Sequence, residues 1–99
     1  MATKPKKLSS TDVVKKLSQI SEWTVNAKST ELSKSFESAS FVAGLSLIAR
    51  IAVHAEVMGH HPTIELSYHK IKVKLTTHDV KGLTRADFEL AKKIDSCCH

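Results

Sequence analysis

The hydrophobic positions of the chain change period several times, and the first change separates a helix from a hairpin. Near the start, apolar residues recur at helical spacing behind a cap at Ser10 or Thr11; they are Val13, Val14, Leu17 and Ile20. Period-two alternation follows, first at Trp23, Val25 and Ala27 and then, beyond a polar turn, at Leu32, Lys34 and Phe36. Two short alternating runs predict a β-hairpin.

The middle of the chain predicts its longest helix. From a cap at Ser40 to about Met58, apolar residues recur at steps of four and three, namely Phe41, Leu45, Ile48, Ala52 and Ala55. Gly59 is placed to end this helix, because glycine readily adopts the left-handed conformation that closes many helices.

Beyond Pro62 the period returns to two and predicts a second hairpin. Its apolar positions are Ile64 and Leu66, then Ile71, Val73 and Leu75, the last three alternating with lysines. A last helix is predicted behind the capping-box spacing of Thr84 and Asp87, with an apolar face of Phe88, Ala91 and Ile94. The order α-β-β-α-β-β-α predicts a single α+β domain, a four-stranded antiparallel sheet with three helices packed on one face.

Length and composition fit one small globular domain. The 99 residues are 41% hydrophobic and 25% charged, which is typical of soluble proteins with a single core. We predict a disordered basic tail over residues 1–8 and the folded domain over 9–99. The longest uncharged stretch, 38–49, is too short for a bilayer, and no secretory signal is recognisable. A cytoplasmic location is expected, with the nucleus as an alternative.

The net charge of +5 does not by itself indicate a nucleic-acid-binding protein. Lys4, Lys6 and Lys7 lie in the predicted tail, and without them the net charge falls to +2. Lysine outnumbers arginine thirteen to two, whereas arginine is the residue that reads bases and clamps phosphates. Direct nucleic-acid binding is therefore not expected. The adjacent Cys97 and Cys98 lack zinc-site spacing and are expected to be free thiols.

Histidine carries the most informative chemistry, with six in the chain. His60 and His61 follow the end of the long helix, and His78 follows the last predicted strand. Because antiparallel neighbours exchange ends, the start of the third strand and the end of the fourth meet at one edge of the sheet. We expect the three histidines to converge on one cleft; the alternative for His60 and His61 is an ordinary polar loop.

Three further residues have less specific interpretations. Glu56 lies in the last turn of the long helix, where a negative charge opposes the macrodipole. It either supports a histidine or a ligand, or it is a solvated helix-end residue. His54 and His69 have no acidic or histidine neighbour at useful spacing and are expected to be ordinary helix and turn residues.

Other kinds of catalytic site match the sequence poorly. The His-Glu-x-x-His pattern of a zinc site is absent. No serine has the glycine-flanked setting of a nucleophile, and the three glycines form no phosphate-binding loop. The kind of catalysis that the sequence still supports is metal-free proton transfer by histidines, because imidazole both donates and accepts protons near neutral pH.

These residues resemble the signature of the pterin-4a-carbinolamine dehydratases. The signature consists of a glutamate, three residues, His-His-Pro, about five residues, an aromatic residue, nine residues, a histidine and a later aspartate. This chain matches it with Glu56, His60, His61, Pro62, Tyr68, His78 and Asp87. The resemblance extends over nearly the whole chain, and only the lysine tail and the two cysteines do not resemble features of the family.

The resemblance implies an enzyme that removes water from 4a-hydroxytetrahydrobiopterin, giving the quinonoid dihydropterin and recycling the pterin of aromatic amino-acid hydroxylases. It implies His60, His61 and His78 as the catalytic set, with His60 and His78 as general acid and base and His61 chiefly holding the pterin. The substrate-binding residues that it implies are Glu56, Gly59, Pro62, Thr76, Thr77 and Asp79. It implies no metal and no organic cofactor.

The resemblance also implies protein partners. It suggests a homodimer or homotetramer formed through the long helix and a sheet edge. Some animal members also bind a homeodomain transcription factor, which makes an interaction module the competing function. Gly59 and Ile64 depart from relatives that carry an acidic residue and a tryptophan there. Asp87 is interpreted as scaffold, because it is the capping-box partner of Thr84.

Overall fold

The computed structural model describes residues 6–98 and contains the predicted order of helices and strands. The helices are α1 (Ser10–Leu17), α2 (Phe41–Met58) and α3 (Arg85–Cys97), and the strands are β1 (Thr24–Val25), β2 (Leu32–Glu37), β3 (Thr63–Ser67) and β4 (Lys70–Leu75). A short 3₁₀ turn, His78–Val80, lies between β4 and α3. The predicted α+β class, with three helices and a four-stranded antiparallel sheet, is confirmed.

The sheet has the strand order β1-β2-β4-β3, and every neighbouring pair is antiparallel. In the second hairpin, Thr63 lies opposite Lys74 and Ser67 lies opposite Lys70. This register places the start of β3 beside the end of β4, as the sequence predicts. The β2 strand pairs along the other side of β4, so β4 is an interior strand.

One face of the sheet carries the core. In β4, Ile71, Val73 and Leu75 are fully buried, whereas Lys70 and Lys72 are exposed. The lysine-bearing face is therefore the wet face of the sheet. The helices contribute the other half of the core through Val13, Ile51, Ala55, Phe88, Leu90, Ala91 and Ile94.

The helix ends follow the rules of capping. Ser40 caps α2 through its hydroxyl, as predicted, and Gly59 ends the helix with a left-handed φ of 62°. The cap of α1 lies earlier than predicted. Ser9, which has the extended backbone that a cap requires, accepts the Asp12 N–H at 3.2 Å through its hydroxyl.

The long helix α2 packs against α3, β3 and β4 but keeps a second apolar face in solvent. The exposed apolar side chains are Phe41, Val42, Leu45, Val53 and Val57. Both faces are apolar and the helix has 18 residues, so α2 could cross a membrane by length and composition alone. Arg50 and Glu56 lie within the same helix.

The predicted tail is described only from Lys6 onward, and residues 1–5 lie outside the described residues. Leu8 packs against the core, and its N–H donates to the Leu83 carbonyl at 2.8 Å. The disorder of the tail and the domain boundary at residue 9 stay predictions.

Candidate functional site

A cleft opens where α2 ends, β3 begins and β4 ends. Its volume is about 200 Å³, and it is lined by Gly59, His60, His61, Thr76, Thr77, His78 and Asp79. The three histidines thus lie around one cleft, as expected from the strand order. Glu56, Pro62, His54 and His69 are outside its lining.

The end of α2 brings the first two histidines to the cleft. Gly59 adopts its left-handed conformation there, and the His60 N–H donates to the Ala55 carbonyl at 3.0 Å. A Cβ added at Gly59 would meet no atom within 4 Å. The positive φ, and not a lack of space, therefore favours glycine at this position.

A closed loop after β4 brings His78 to the same cleft. Thr77 and Gly82 form an isolated β-bridge, in which the Thr77 N–H donates to the Gly82 carbonyl at 2.8 Å. The 3₁₀ turn lies between these two residues and ends at Lys81, which has a left-handed φ of 52°. His78 begins this turn and is exposed, so its ring is accessible to a ligand.

His60 contacts a buried carboxylate of α3. The His60 Nε2 lies 2.5 Å from Asp87 Oδ1. The side chain of His60 is 14% exposed, and that of Asp87 is fully buried. Asp87 also forms the predicted capping box with Thr84. The sequence predicts the capping box alone; the contact with His60 adds a second role to the scaffold role of Asp87.

The hydrogen bonds around Asp87 identify one of its oxygens as an acceptor. Its Oδ2 accepts the Thr84 N–H at 2.9 Å and the Thr77 hydroxyl at 2.7 Å. Since the Thr77 hydroxyl has one proton, the Thr84 hydroxyl, 2.9 Å away, donates to Thr77. Oδ2 is then an acceptor towards both of these neighbours, and an ionised Asp87 would also accept the Nε2 proton of His60 at Oδ1. The ring nitrogen left for a ligand is His60 Nδ1.

His61 has a looser acidic neighbour. Its Nε2 lies 3.6 Å from Glu56 Oε2, and the two side chains are 64% and 78% exposed. A pair at this distance in open solvent contributes little to stability, because water screens it. The support of a histidine or a ligand by Glu56 therefore stays a prediction.

The threonine hydroxyls of the cleft are engaged within the fold. Thr76 Oγ1 donates to the Thr30 carbonyl at 2.6 Å. The Thr77 hydroxyl donates to Asp87, and the backbone N–H of Thr77 donates to the Gly82 carbonyl. These two side chains shape the wall of the cleft and hold the loop that carries His78.

Tyr68 belongs to the sequence signature but lies away from the cleft of its own chain. It is 74% exposed in the turn between β3 and β4, with its ring centroid 4.5 Å from that of His69. The whole of β3 separates this turn from the cleft, which at roughly 3.4 Å per residue is on the order of 17 Å.

A larger groove, of about 440 Å³, shares no lining residue with the histidine cleft. Within it Lys34 Nζ lies 2.8 Å from Asp95 Oδ1, and Trp23 Nε1 donates to the same carboxylate at 3.0 Å. Cys98 lines the groove as well. Among residues 6–98, no group of three or more His, Cys, Asp or Glu is arranged to hold a metal ion.

Comparison with known proteins identifies the family of the chain. A family model described as pterin 4 alpha carbinolamine dehydratase matches residues 6–97. The chain belongs to this family. The matched span includes every cleft residue of this dehydratase-family member and Asp87 of α3.

Curated relatives cover almost the whole chain. A Chloroflexus aurantiacus protein is 37% identical over 89 residues, 90% of this chain and 94% of its own length. A Roseiflexus sp. protein is 38% identical over 95 residues, 96% of this chain and 97% of its own length. Both carry the provisional name pterin-4-alpha-carbinolamine dehydratase.

Two solved structures share the fold. One, described as a transcriptional coactivator/pterin dehydratase from Brucella melitensis, has a TM-score of 0.90 and 24% identity; the match covers 95% of this chain and all of that chain. The other is a pterin dehydratase-like protein described as a RuBisCO assembly factor in the alpha-carboxysome. Its TM-score is 0.66 at 20% identity, over 78% of this chain and 89% of that chain.

Proposed function

We propose that this chain catalyses the loss of water from a 4a-hydroxytetrahydropterin, giving the quinonoid dihydropterin. The observation that carries the proposal is a single cleft lined by His60, His61 and His78, in which His60 is held by the buried Asp87. Membership of the dehydratase family supports the same reaction. The product would return to the pterin pool of aromatic amino-acid hydroxylases.

The elimination requires one proton to be delivered and one to be removed. The C4a–O bond breaks as the oxygen takes a proton and leaves as water, while N5 loses its proton and the C4a=N5 bond forms. We assign these two transfers to His60 and His78, which approach the cleft from the end of α2 and from the loop after β4. The reaction moves no electrons to or from the protein.

The other residues serve binding and orientation. Asp87 is a positioning residue, because it accepts the Nε2 proton of His60 and so directs Nδ1 to the substrate. His61, which is exposed at the cleft, chiefly contacts the pterin, with Glu56 beside it. The remaining assigned residues, which form or border the wall of the cleft, are Gly59, Pro62, Thr76, Thr77 and Asp79.

The direct test is carbinolamine dehydration followed against its spontaneous rate, with and without a strong chelator. We expect wild-type protein to exceed the background rate and the chelator to change nothing, since histidines carry the proton transfers. A folded protein no faster than the background would overturn the enzyme proposal. Activity abolished by the chelator would replace histidine catalysis with metal catalysis.

We further propose that the chain self-associates through α2. Five large apolar side chains of that helix are exposed, among them Val42 at 73% and Val57 at 81%, and such a surface is typical of an interface. Sedimentation should show a dimer or tetramer at micromolar concentration. Leu45→Asp, on the exposed face, should give monomers, while Thr11→Asp, exposed on α1, should not; a monomeric wild type would contradict the proposal.

The competing function is that of a binding partner for another protein, such as a transcription factor. The same exposed face of α2 supports it, because a surface that accepts a second copy is also suited to an apolar helix of a partner. A folded, oligomeric protein without dehydratase activity would favour this function over catalysis.

A further inference from the structure

The adjacent cysteines at the end of α3 form a close pair of thiols. Cys97 is the last residue of α3 and Cys98 is its C-cap. Both are free and partly buried, and their sulfur atoms lie 3.6 Å apart. The Cys97 thiol also donates to the Ile94 carbonyl at 3.4 Å. Two sulfur atoms at this separation can bind one thiophilic centre together.

The surroundings of Cys98 favour chelation over nucleophilic attack. Burial, and after it the hydrogen bond with Cys97, raises the pKa of the Cys98 thiol to about 12. The thiolate needed for attack on a disulfide or peroxide is therefore scarce at neutral pH. An electrophile that binds both sulfur atoms, and whose departing oxygen accepts the two thiol protons, does not require a thiolate that is already ionised.

We propose that Cys97 and Cys98 form a two-sulfur binding site for a trivalent arsenical. In the reaction with an arsine oxide, two As–S bonds form, the As=O bond and two S–H bonds break, and the oxygen leaves as water with both protons. No oxidant or reductant takes part. Thiolates are the soft ligands that such centres prefer.

The site has room for its ligand and is separate from the histidine cleft. Cys98 lines the groove of about 440 Å³, which provides open space beside this residue. None of the residues that line this groove lines the histidine cleft. Occupancy therefore requires no contact with His60, His61 or His78.

The test uses the fully reduced protein and phenylarsine oxide as the probe. Intact-mass measurement should show one phenylarsenic group per chain with the loss of one water, and thiol titration should fall from two thiols to none. Either Cys97→Ser or Cys98→Ser should weaken binding by about 10²-fold to 10⁴-fold, the gain that a second linked contact provides. Ser96→Ala, in the same helical turn, is the matched control and should bind as wild type.

Displacement by small thiols supplies an independent readout. A small dithiol should remove the arsenical at concentrations where a monothiol at the same total thiol concentration does not. Equal displacement by both reagents would overturn the proposal. Binding by a single-cysteine variant as tight as that of wild type would also overturn it.

Discussion

Asp87 and Asp95 are two carboxylates of the same helix with similar bonding and different chemistry. Asp87 is hydrogen-bonded to His60 and accepts from Thr77 and Thr84, and Asp95 accepts from an indole N–H and an ammonium. Imidazole exchanges a proton near neutral pH, whereas the indole N–H and the lysine ammonium hold theirs. A well-bonded acid therefore indicates a reactive site only when one of its partners can pass a proton onward.

The surroundings of Asp87 and Asp95 also show that the larger cavity is not the one we assign to function. The groove beside Asp95 has about twice the volume of the histidine cleft, 440 against 200 Å³. Its carboxylate, however, holds Trp23 and Lys34 in place; the lysine also donates to the Ser21 carbonyl at 2.8 Å and lies 5.0 Å from the Phe36 ring centroid. We interpret the Asp95 cluster as structural and the Asp87 cluster as catalytic support.

Replacing a proton-transfer histidine should give the largest effect. His60→Ala or His78→Ala should lower kcat for dehydration by about 10²-fold to 10⁴-fold, the usual contribution of one general acid or base. The double variant should lose less than the product of the two, because both act on one elimination. Steady-state kinetics against the spontaneous rate measures both effects.

The alanine at position 60 needs a control, since it leaves a buried carboxylate oxygen without its partner. His60→Gln keeps a hydrogen-bond donor but cannot carry out acid–base exchange at neutral pH. A stable, folded glutamine variant with wild-type kcat would remove His60 from the reaction.

His61→Ala should have a smaller effect and act on binding. His61 is 64% exposed with only a distant pair to Glu56, so its removal should not disturb the fold. We expect KM to rise more than kcat falls, because an interaction made equally in the ground and transition states is lost. A fall in kcat matching that of His60→Ala would instead make His61 a proton-transfer residue.

Asp95→Asn should change stability and leave catalysis alone. The variant loses the pair with Lys34, whose side chain is only 10% exposed, and should lower the free energy of unfolding by about 1 to 3 kcal/mol. Glu89→Gln, which breaks an exposed pair with Arg85, should change it by no more than about 0.5 kcal/mol. Urea denaturation compares the two; equal losses would deny Asp95 a structural role.

The sequence predicts well what depends on neighbours along the chain. The cap at Ser40, the left-handed Gly59 and the capping box of Thr84 with Asp87 are local features, and all three are present. The first strand is shorter than the alternation from Trp23 to Ala27 predicts. Alternation of apolar and polar residues indicates which side chains face the core, but it does not show which backbone groups pair with a neighbouring strand.

Long-range side-chain contacts are less predictable. The meeting of the histidines follows from strand order, whereas the bond from His60 to Asp87 joins residues 27 positions apart in different elements. The aspartate of the sequence signature is the one hint of it. The capping box explains the presence of Asp87 by itself, and it uses only Oδ2. The sequence therefore gives no partner for Oδ1, which contacts His60 in the fold.

The most direct test of the central claim compares kcat for carbinolamine dehydration by Asp87→Asn and Asp95→Asn at equal folded fraction. The amide of Asp87→Asn should misorient His60 and lower kcat by about 10-fold to 100-fold, with KM little changed. Asp95→Asn should stay within about twofold of wild type, as expected away from the reacting groups. Equal kcat for the two variants would contradict the assignment of proton transfer to His60 held by Asp87.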